Sequence, residues 1–231
     1  MIKRIIDIIL ALIIISLSLP FIGIILFVVF LITGENPLIF QNRKISLDKD
    51  EVRILKIRTI KSSEKLIELE KNCDNIFIKN GFYKYVPVFC RWLRKSGIDE
   101  VPQAVNVLKG EMSFIGPRPF PVNDLNLLQV SDPEYYKRRI KIESKPGITG
   151  YWQVFGNRQQ GISNLIKCDE YYEKEKSVYL DLKILFKTII VLIAAKHSDA
   201  IILTEKKKTL YINSNSFQIK DKNKAVESNI C

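Results

Sequence analysis

The strongest pattern in the chain is a run from residue 5 to residue 32 that is almost wholly apolar, interrupted only by Asp7, Ser16, Ser18, Pro20 and Gly23. Its length suits a membrane helix, at roughly 1.5 Å of rise per residue against a hydrocarbon core of about 30 Å. It exceeds the apolar core of a cleaved signal, and no small-x-small cleavage site follows it before Thr33, Gly34 and Glu35. Pro20 stands near the centre, where it removes one backbone donor and crowds the carbonyl one turn earlier, while the Ser18 hydroxyl offers a local partner. A break there predicts a helix that dips into one leaflet and returns; a straight spanning helix is the alternative. Lys3 and Arg4 precede the run and Arg43 and Lys44 follow it, so the positive-inside tendency places both ends on the cytoplasmic side.

After this segment the periodicity changes. Residues 38–41 and 52–59 read as two short strands joined by a polar stretch at 46–50, a β-hairpin on which Lys56 and Arg58 share a face. Residues 61–74 are charged and helical in pattern. Residues 82–92 mix Phe82, Tyr83, Tyr85, Phe89 and Trp92 with Lys84 and Arg91, a composition typical of the lipid headgroup level, with core packing of the aromatics as the competing reading. From Asp99 the positions Val101, Ala104, Val105 and Leu108 follow the spacing of a buried helical face, with Pro102 in the first turn and Gly110 at the C-cap. Residues 178–195 are apolar but carry Asp181, Lys183 and Lys187, which predicts a helix lying along the membrane surface. From residue 205 the chain is polar, with Lys206, Lys207 and Lys208 in a row, and reads as a flexible tail. The expected organisation is a membrane helix at 1–34, one domain at 35–204 and the tail at 205–231, in a mostly helical α+β fold.

Composition narrows the chemistry. The net charge of +11 over 231 residues calls for an anionic partner: nucleic acid, a phospholipid surface or a phosphorylated substrate. No recognition-helix, zinc-finger or ribonucleoprotein pattern supports nucleic acid. Cys73, Cys90, Cys168 and Cys231 are widely spaced, so neither a zinc site nor a disulfide framework is indicated and reduced structural thiols are expected. The single histidine, His197, lies near the polar end, which leaves carboxylates as the better chemical candidates.

Asp99 and Glu100 supply those carboxylates at a helix start, followed by the Gly116-Pro117-Arg118-Pro119 turn. A helix N-terminus and Arg118 can hold phosphate oxygens, a divalent cation on one carboxylate can neutralise a pyrophosphate, and the other carboxylate can move a proton. Simple capping is the competing reading of the acid pair. Lys56 and Arg58 form a second phosphate-binding candidate, against a solvated strand face. The turn at 145–154, with Pro146, Gly147, Thr149, Gly150 and Gln153, brings Tyr151 and Trp152 forward as flat surfaces for a nucleobase, against ordinary packing.

Residues 3–191 resemble the bacterial sugar transferases, specifically the monotopic polyprenyl-phosphate sugar-phosphate transferases. The resemblance rests on Lys3, Arg4 and Asp7; Ser18 and Pro20; Gln41, Asn42 and Arg43; Lys56, Arg58 and Thr59; Leu93, Arg94 and Lys95; and Asp99, Glu100, Pro102 and Gln103. It continues through residues 106–119 (NVLKGEMSFIGPRP), 145–150 (KPGITG) and 171–184. It implies transfer of sugar 1-phosphate from a UDP-sugar to undecaprenyl phosphate with release of UMP, at the cytoplasmic face of the bacterial inner membrane, as the first membrane step of a surface glycan. It further implies Asp99 as a nucleophile that carries the phosphosugar covalently, Mg²⁺ beside it, Glu100 assisting, Lys56, Arg94 and Arg118 on phosphates, and a re-entrant first helix. A lipid-carrier-binding component without catalysis is the alternative, and a homodimer is left open. The chain departs from the family at Gly97, where Ser or Thr is common; at Lys44 and Ile45, in place of Pro-Gly; at Ile57 and Ile60; and at Tyr151-Trp152, where Trp-Ala is frequent. The sugar itself is not legible.

Overall fold

The computed structural model of the chain describes residues 2–61 and 86–194. Residues 62–74 of the charged stretch, residues 82–85 of the aromatic segment, Cys73, Cys231, His197 and the tail at 205–231 fall outside the described residues.

Helix α1 (Ile2–Thr33) is a single helix with Pro20 inside it, so the expected break is not realised as an interruption. Ser18 Oγ donates to the Ile15 carbonyl at 3.1 Å, a side-chain bond one turn away from the donor that Pro20 lacks. Leu12, Leu17, Leu19, Phe21, Ile24 and Phe27 are exposed along the middle, and α1 is long and apolar enough to cross a membrane. Each of its two ends also has a buried face. Ala11 is buried with Ile54, Ala104 and Val107, while Val29 is buried with Ile57 and Leu93. Both ends of α1 thus pack on one body.

The hairpin is present as β1 (Leu38–Lys44) and β2 (Val52–Ile57), antiparallel with Leu38 opposite Ile57 and Arg43 opposite Val52. Further on come α2 (Val88–Ser96), a 3₁₀ turn (Ile98–Gln103), α3 (Ala104–Lys109), β3 (Ser113–Ile115) and β4 (Phe120–Pro121). Strand β4 pairs with the outer edge of β1, giving the sheet order β2-β1-β4. The second half is α4 (Val122–Ser131), α5 (Pro133–Arg139), β5 (Gly147–Thr149), α6 (Tyr151–Phe155), a 3₁₀ turn (Arg158–Gln160), α7 (Gly161–Glu175) and α8 (Val178–Ile193). Strands β3 and β5 are parallel, with Ser113 opposite Gly147. Helical and strand elements therefore mix as expected for an α+β fold.

One expected helix resolves into two pieces. The segment from Ile98 to Gln103 is 3₁₀ and becomes α-helical only at Ala104, and Gly110, at φ +84°, ends it at the predicted C-cap. Helix α8 buries Leu180, Ile184 and Thr188 on one face and exposes Tyr179, Leu182, Phe186 and Ile193 on the other. Its outward side thus carries large apolar side chains together with the exposed Lys183, the mixed pattern of a helix at a lipid surface.

Candidate active site

The acid pair is placed by a sharp change of direction. Helix α2 ends at Gly97, whose φ of +70° is the left-handed conformation that glycine adopts without strain, and its N–H returns to the Arg94 carbonyl at 3.3 Å. The departure from Ser or Thr at this position is therefore a C-cap requirement of α2. Directly after it, Asp99 and Glu100 occupy the first turn of the 3₁₀ segment, with the Glu100 N–H on the Gly97 carbonyl at 3.1 Å. Both acids are nearly removed from solvent, 4% and 7% exposed, so each carries a desolvation penalty that an opposite charge must offset. Lys56 of β2 supplies that charge, with Nζ 2.7 Å from Glu100 Oε1 and 3.5 Å from Asp99 Oδ2. One ammonium thus serves two carboxylates, and it grips Glu100 the more closely.

The strand that carries Lys56 is held in register by α3. The Asn106 side chain accepts from the Leu55 N–H at 3.1 Å and donates to the Arg53 carbonyl at 2.9 Å, which ties β2 to the element following the acids. Arg94, on the last turn of α2, reaches Thr59 Oγ1 at 3.4 Å just past β2, the end at which Lys56 meets the acids. Arg58 turns elsewhere. Its Nη1 pairs with Glu35 at 2.8 Å and its Nε donates to the Asn36 carbonyl at 2.8 Å, closing the junction between α1 and β1. Lys56 and Arg58 are therefore directed to different partners, although strand alternation puts them on one side.

The Gly116-Pro117-Arg118-Pro119 turn and the 145–154 loop form a single construction. The Ser113 N–H donates to the Pro146 carbonyl (2.9 Å), the Gly116 N–H to Thr149 (3.0 Å) and the Gly147 N–H to Pro117 (3.0 Å). The two backbones approach so closely that a Cβ on Gly147 would stand 2.2 Å from the Gly116 nitrogen, and one on Gly150 would stand 2.2 Å from the Gly116 oxygen. Only glycine fits there. Of the loop's other members, Thr149 Oγ1 meets Thr188 of α8 at 2.9 Å and Gln153 Nε2 donates to the Ile148 carbonyl at 3.0 Å. Trp152 is buried in the core, which realises the packing reading of this residue, and the Tyr151 ring packs at a tilt against Phe155 and Tyr171. The loop braces the Arg118 turn from behind.

Arg118 itself is partly exposed, but its backbone is fastened by a pair that sequence reasoning did not single out. Arg139 and Asp169 are wholly buried and joined at 2.8 Å. Arg139 also donates to the Ile45 carbonyl at 2.6 Å and to the Arg118 carbonyl, with its guanidinium 4.0 Å above the Phe120 ring. Asp169 in turn accepts from the Arg118 backbone N–H. Burial pushes the Asp169 carboxyl up, to about 6, and holds the Arg139 guanidinium below its usual value; their attraction opposes both shifts. At neutral pH Asp169 is still ionised. The only hint of this in the sequence is the basic run at 137–141.

The N-terminal residues Lys3, Arg4 and Asp7 dock α1 on the same body. Asp7 accepts from the Ser113 hydroxyl and the Phe114 N–H (2.8 and 2.9 Å), Arg4 donates to the Val107 and Leu108 carbonyls at the end of α3, and Lys3 pairs with Asp181 at 2.6 Å. Cys90 and Cys168 are buried free thiols, and burial pushes the Cys168 thiol up to about 11, in keeping with structural cysteines.

The sequence model described as bacterial sugar transferase matches residues 1–195. The chain belongs to that family. A UDP-galactose-lipid carrier transferase of Erwinia amylovora is 34% identical over 195 residues, which is 81% of this chain and 39% of that protein. A UDP-glucose:undecaprenyl-phosphate glucose-1-phosphate transferase of Escherichia coli is 32% identical over 197 residues, 82% of this chain and 39% of that protein. An undecaprenyl-phosphate galactose phosphotransferase of Salmonella typhimurium is 41% identical over 98 residues, 42% of this chain and 19% of that protein. The chain thus matches two fifths or less of the length of these curated relatives.

Among the described residues no group of three or more His, Cys, Asp or Glu side chains gathers, but Mg²⁺ is usually held by one or two carboxylates, with water and substrate phosphates completing its shell. Asp99 and Glu100 would supply that number, and between them they already hold the Lys56 ammonium.

Proposed function

We propose that this family member transfers sugar 1-phosphate from a UDP-sugar to undecaprenyl phosphate and releases UMP. The observation that carries the reading is the buried Asp99–Glu100 pair sharing Lys56, a charged site packed beside a helix long and apolar enough to cross a membrane. In the first step an Asp99 carboxylate oxygen attacks the sugar-bearing phosphorus of the donor. The bond from that phosphorus to the bridging oxygen breaks, and UMP leaves with the electron pair. An aspartyl phosphosugar remains, an acyl phosphate reactive enough for the second step. There a phosphate oxygen of undecaprenyl phosphate attacks the same phosphorus, the acyl–oxygen–phosphorus link breaks on the phosphorus side, and the Asp99 carboxylate is regenerated.

The residues divide this work by their contacts. Lys56 holds Glu100 at 2.7 Å and stands at the longer 3.5 Å from the attacking carboxylate of Asp99. Glu100 assists from the neighbouring position, and Lys56, Arg94 and Arg118 bind phosphate oxygens. Mg²⁺, held through Asp99, would neutralise pyrophosphate charge when bound.

The docking of both ends of α1 on one body supports a re-entrant, monotopic placement at the cytoplasmic face of the inner membrane, since a spanning helix would carry its ends to opposite sides. Relatives named as exopolysaccharide production proteins favour a role in making a surface glycan, of which this transfer would be the first membrane step. The test is formation of lipid-linked product from radiolabelled UDP-galactose or UDP-glucose, with Mg²⁺, in membranes bearing the wild-type chain or Asp99→Asn. Loss of product in the variant is expected; undiminished product would sink the nucleophile assignment and favour a carrier-binding role.

A further inference from the structure

Among the described residues, the one fully buried charged pair that the proposed reaction leaves unused is Arg139–Asp169, and it sits directly behind the Arg118 turn. Burying such a pair is costly, because desolvation can exceed the Coulombic gain and an apolar pair of similar volume often serves stability as well. Its contacts point to what it does instead. The planar guanidinium of Arg139 spreads its donors over three separate elements: the Ile45 carbonyl beyond β1, the Asp169 carboxylate of α7 and the Arg118 carbonyl between β3 and β4. Asp169 closes the ring by accepting from the Arg118 N–H. Both polar groups of the Arg118 peptide backbone, the N–H and the C=O, are thereby fixed by two side chains that never reach the surface.

We infer that Arg139 and Asp169 are positioning residues that set the backbone of Arg118, and through it aim the Arg118 guanidinium at the donor's pyrophosphate. This rests on the reading of Arg118 as a phosphate-binding residue. The logic is one of geometry. A turn of two prolines and a glycine fixes φ at Pro117 and Pro119 but leaves the Arg118 peptide orientation to be set from outside, and misplacement of a binding group by about 1 Å can cost on the order of a hundredfold. Lysine cannot replace the fork, because its ammonium is a point charge on a flexible stem and cannot hold three acceptors in one plane.

The experiment is calorimetric titration of the full-length chain, in detergent with Mg²⁺, with UDP, which carries the pyrophosphate whichever sugar is used. Wild type, Arg139→Lys, Arg118→Ala and the double variant are compared, with melting temperatures alongside. Stoichiometry reports the folded fraction and Kd reports positioning in that fraction. Arg139→Lys should weaken UDP about tenfold or more, Arg118→Ala should do likewise, and the double variant should be no weaker than Arg118→Ala alone. A lower melting temperature with unchanged Kd for Arg139→Lys would overturn the inference, as would additive losses in the double variant. If Arg118→Ala itself leaves Kd unchanged, the phosphate reading of Arg118 falls instead. Should Arg139→Lys not fold, Asp169→Asn carries the same comparison with the same expected weakening; failure of both to fold beside a folded Arg118→Ala would make the pair a core strut and overturn the positioning role.

Discussion

At the scale of single residues, burial separates the side chains that could do chemistry from those that hold the fold. Asp99 and Glu100 are buried acids served by one lysine, an arrangement that capping alone does not require, because a capping carboxylate is content at the surface. Asp169 is buried more deeply still and behaves differently. Its folded value of about 6 stands above the ordinary 3.8, so between those pH values the folded chain binds a proton that the unfolded chain has released. The contribution of this carboxyl to stability is therefore full below about pH 3.8 and is lost as pH rises through 6. Melting curves of wild type and Asp169→Asn from pH 4 to pH 7 should show wild type losing ground to the variant up to about pH 6 and running parallel above it. Wild type gaining on the variant across that window would contradict this. Asp99, Glu100 and Lys56 stood out in the sequence against capping and solvated-face readings, and the structure brings the three together. Asp169 did not, since an acid in the middle of a helix reads as a solvated face until its partner, 30 residues earlier, is seen beside it.

At the scale of elements, the two glycine-rich motifs are one object. Residues 116–119 and 145–150 look like separate turns in the sequence, and the loop looks like a ligand-binding turn, because local patterns carry no record of which backbones will touch. Their parallel pairing as β3 and β5 gives the glycines a physical reason: atoms of Gly116 occupy the space a Gly147 or Gly150 Cβ would need. Gly147→Ala should accordingly cost about 3 kcal/mol of stability, read as a lowered midpoint of denaturation, while Gly23→Ala, which meets nothing within 4 Å, should be near neutral. Equal effects from the two would argue against the crossing. The hairpin and the α3 C-cap were readable from alternation and from Gly110, whereas the 3₁₀ start at Ile98 was not, since both helix types bury the same apolar positions over one turn.

At the scale of the whole molecule, α1 is stitched to the body at both ends, by Lys3, Arg4 and Asp7 at one and by Val29 with Ile57 and Leu93 at the other. Its exposed apolar middle and the outer face of α8 are the surfaces that lipid would cover. A cysteine placed before Ile5 and another placed after Gly34, in a chain with its native cysteines replaced by alanine, should both be labelled only from the cytoplasmic side. Periplasmic labelling of the first would establish a spanning helix. The membrane segment was the plainest feature of the sequence, yet hydropathy could not tell a returning helix from a crossing one; what bears on that choice is the contacts its ends make with residues far along the chain. The measurement that reaches furthest is UMP release from UDP-galactose and UDP-glucose by membranes carrying the full chain, with the protein afterwards analysed for a phosphosugar adduct on the peptide containing Asp99. Wild type should release UMP and carry the adduct when undecaprenyl phosphate is withheld, and Asp99→Asn should do neither. UMP release that survives in Asp99→Asn would contradict the assignment of Asp99 as the nucleophile.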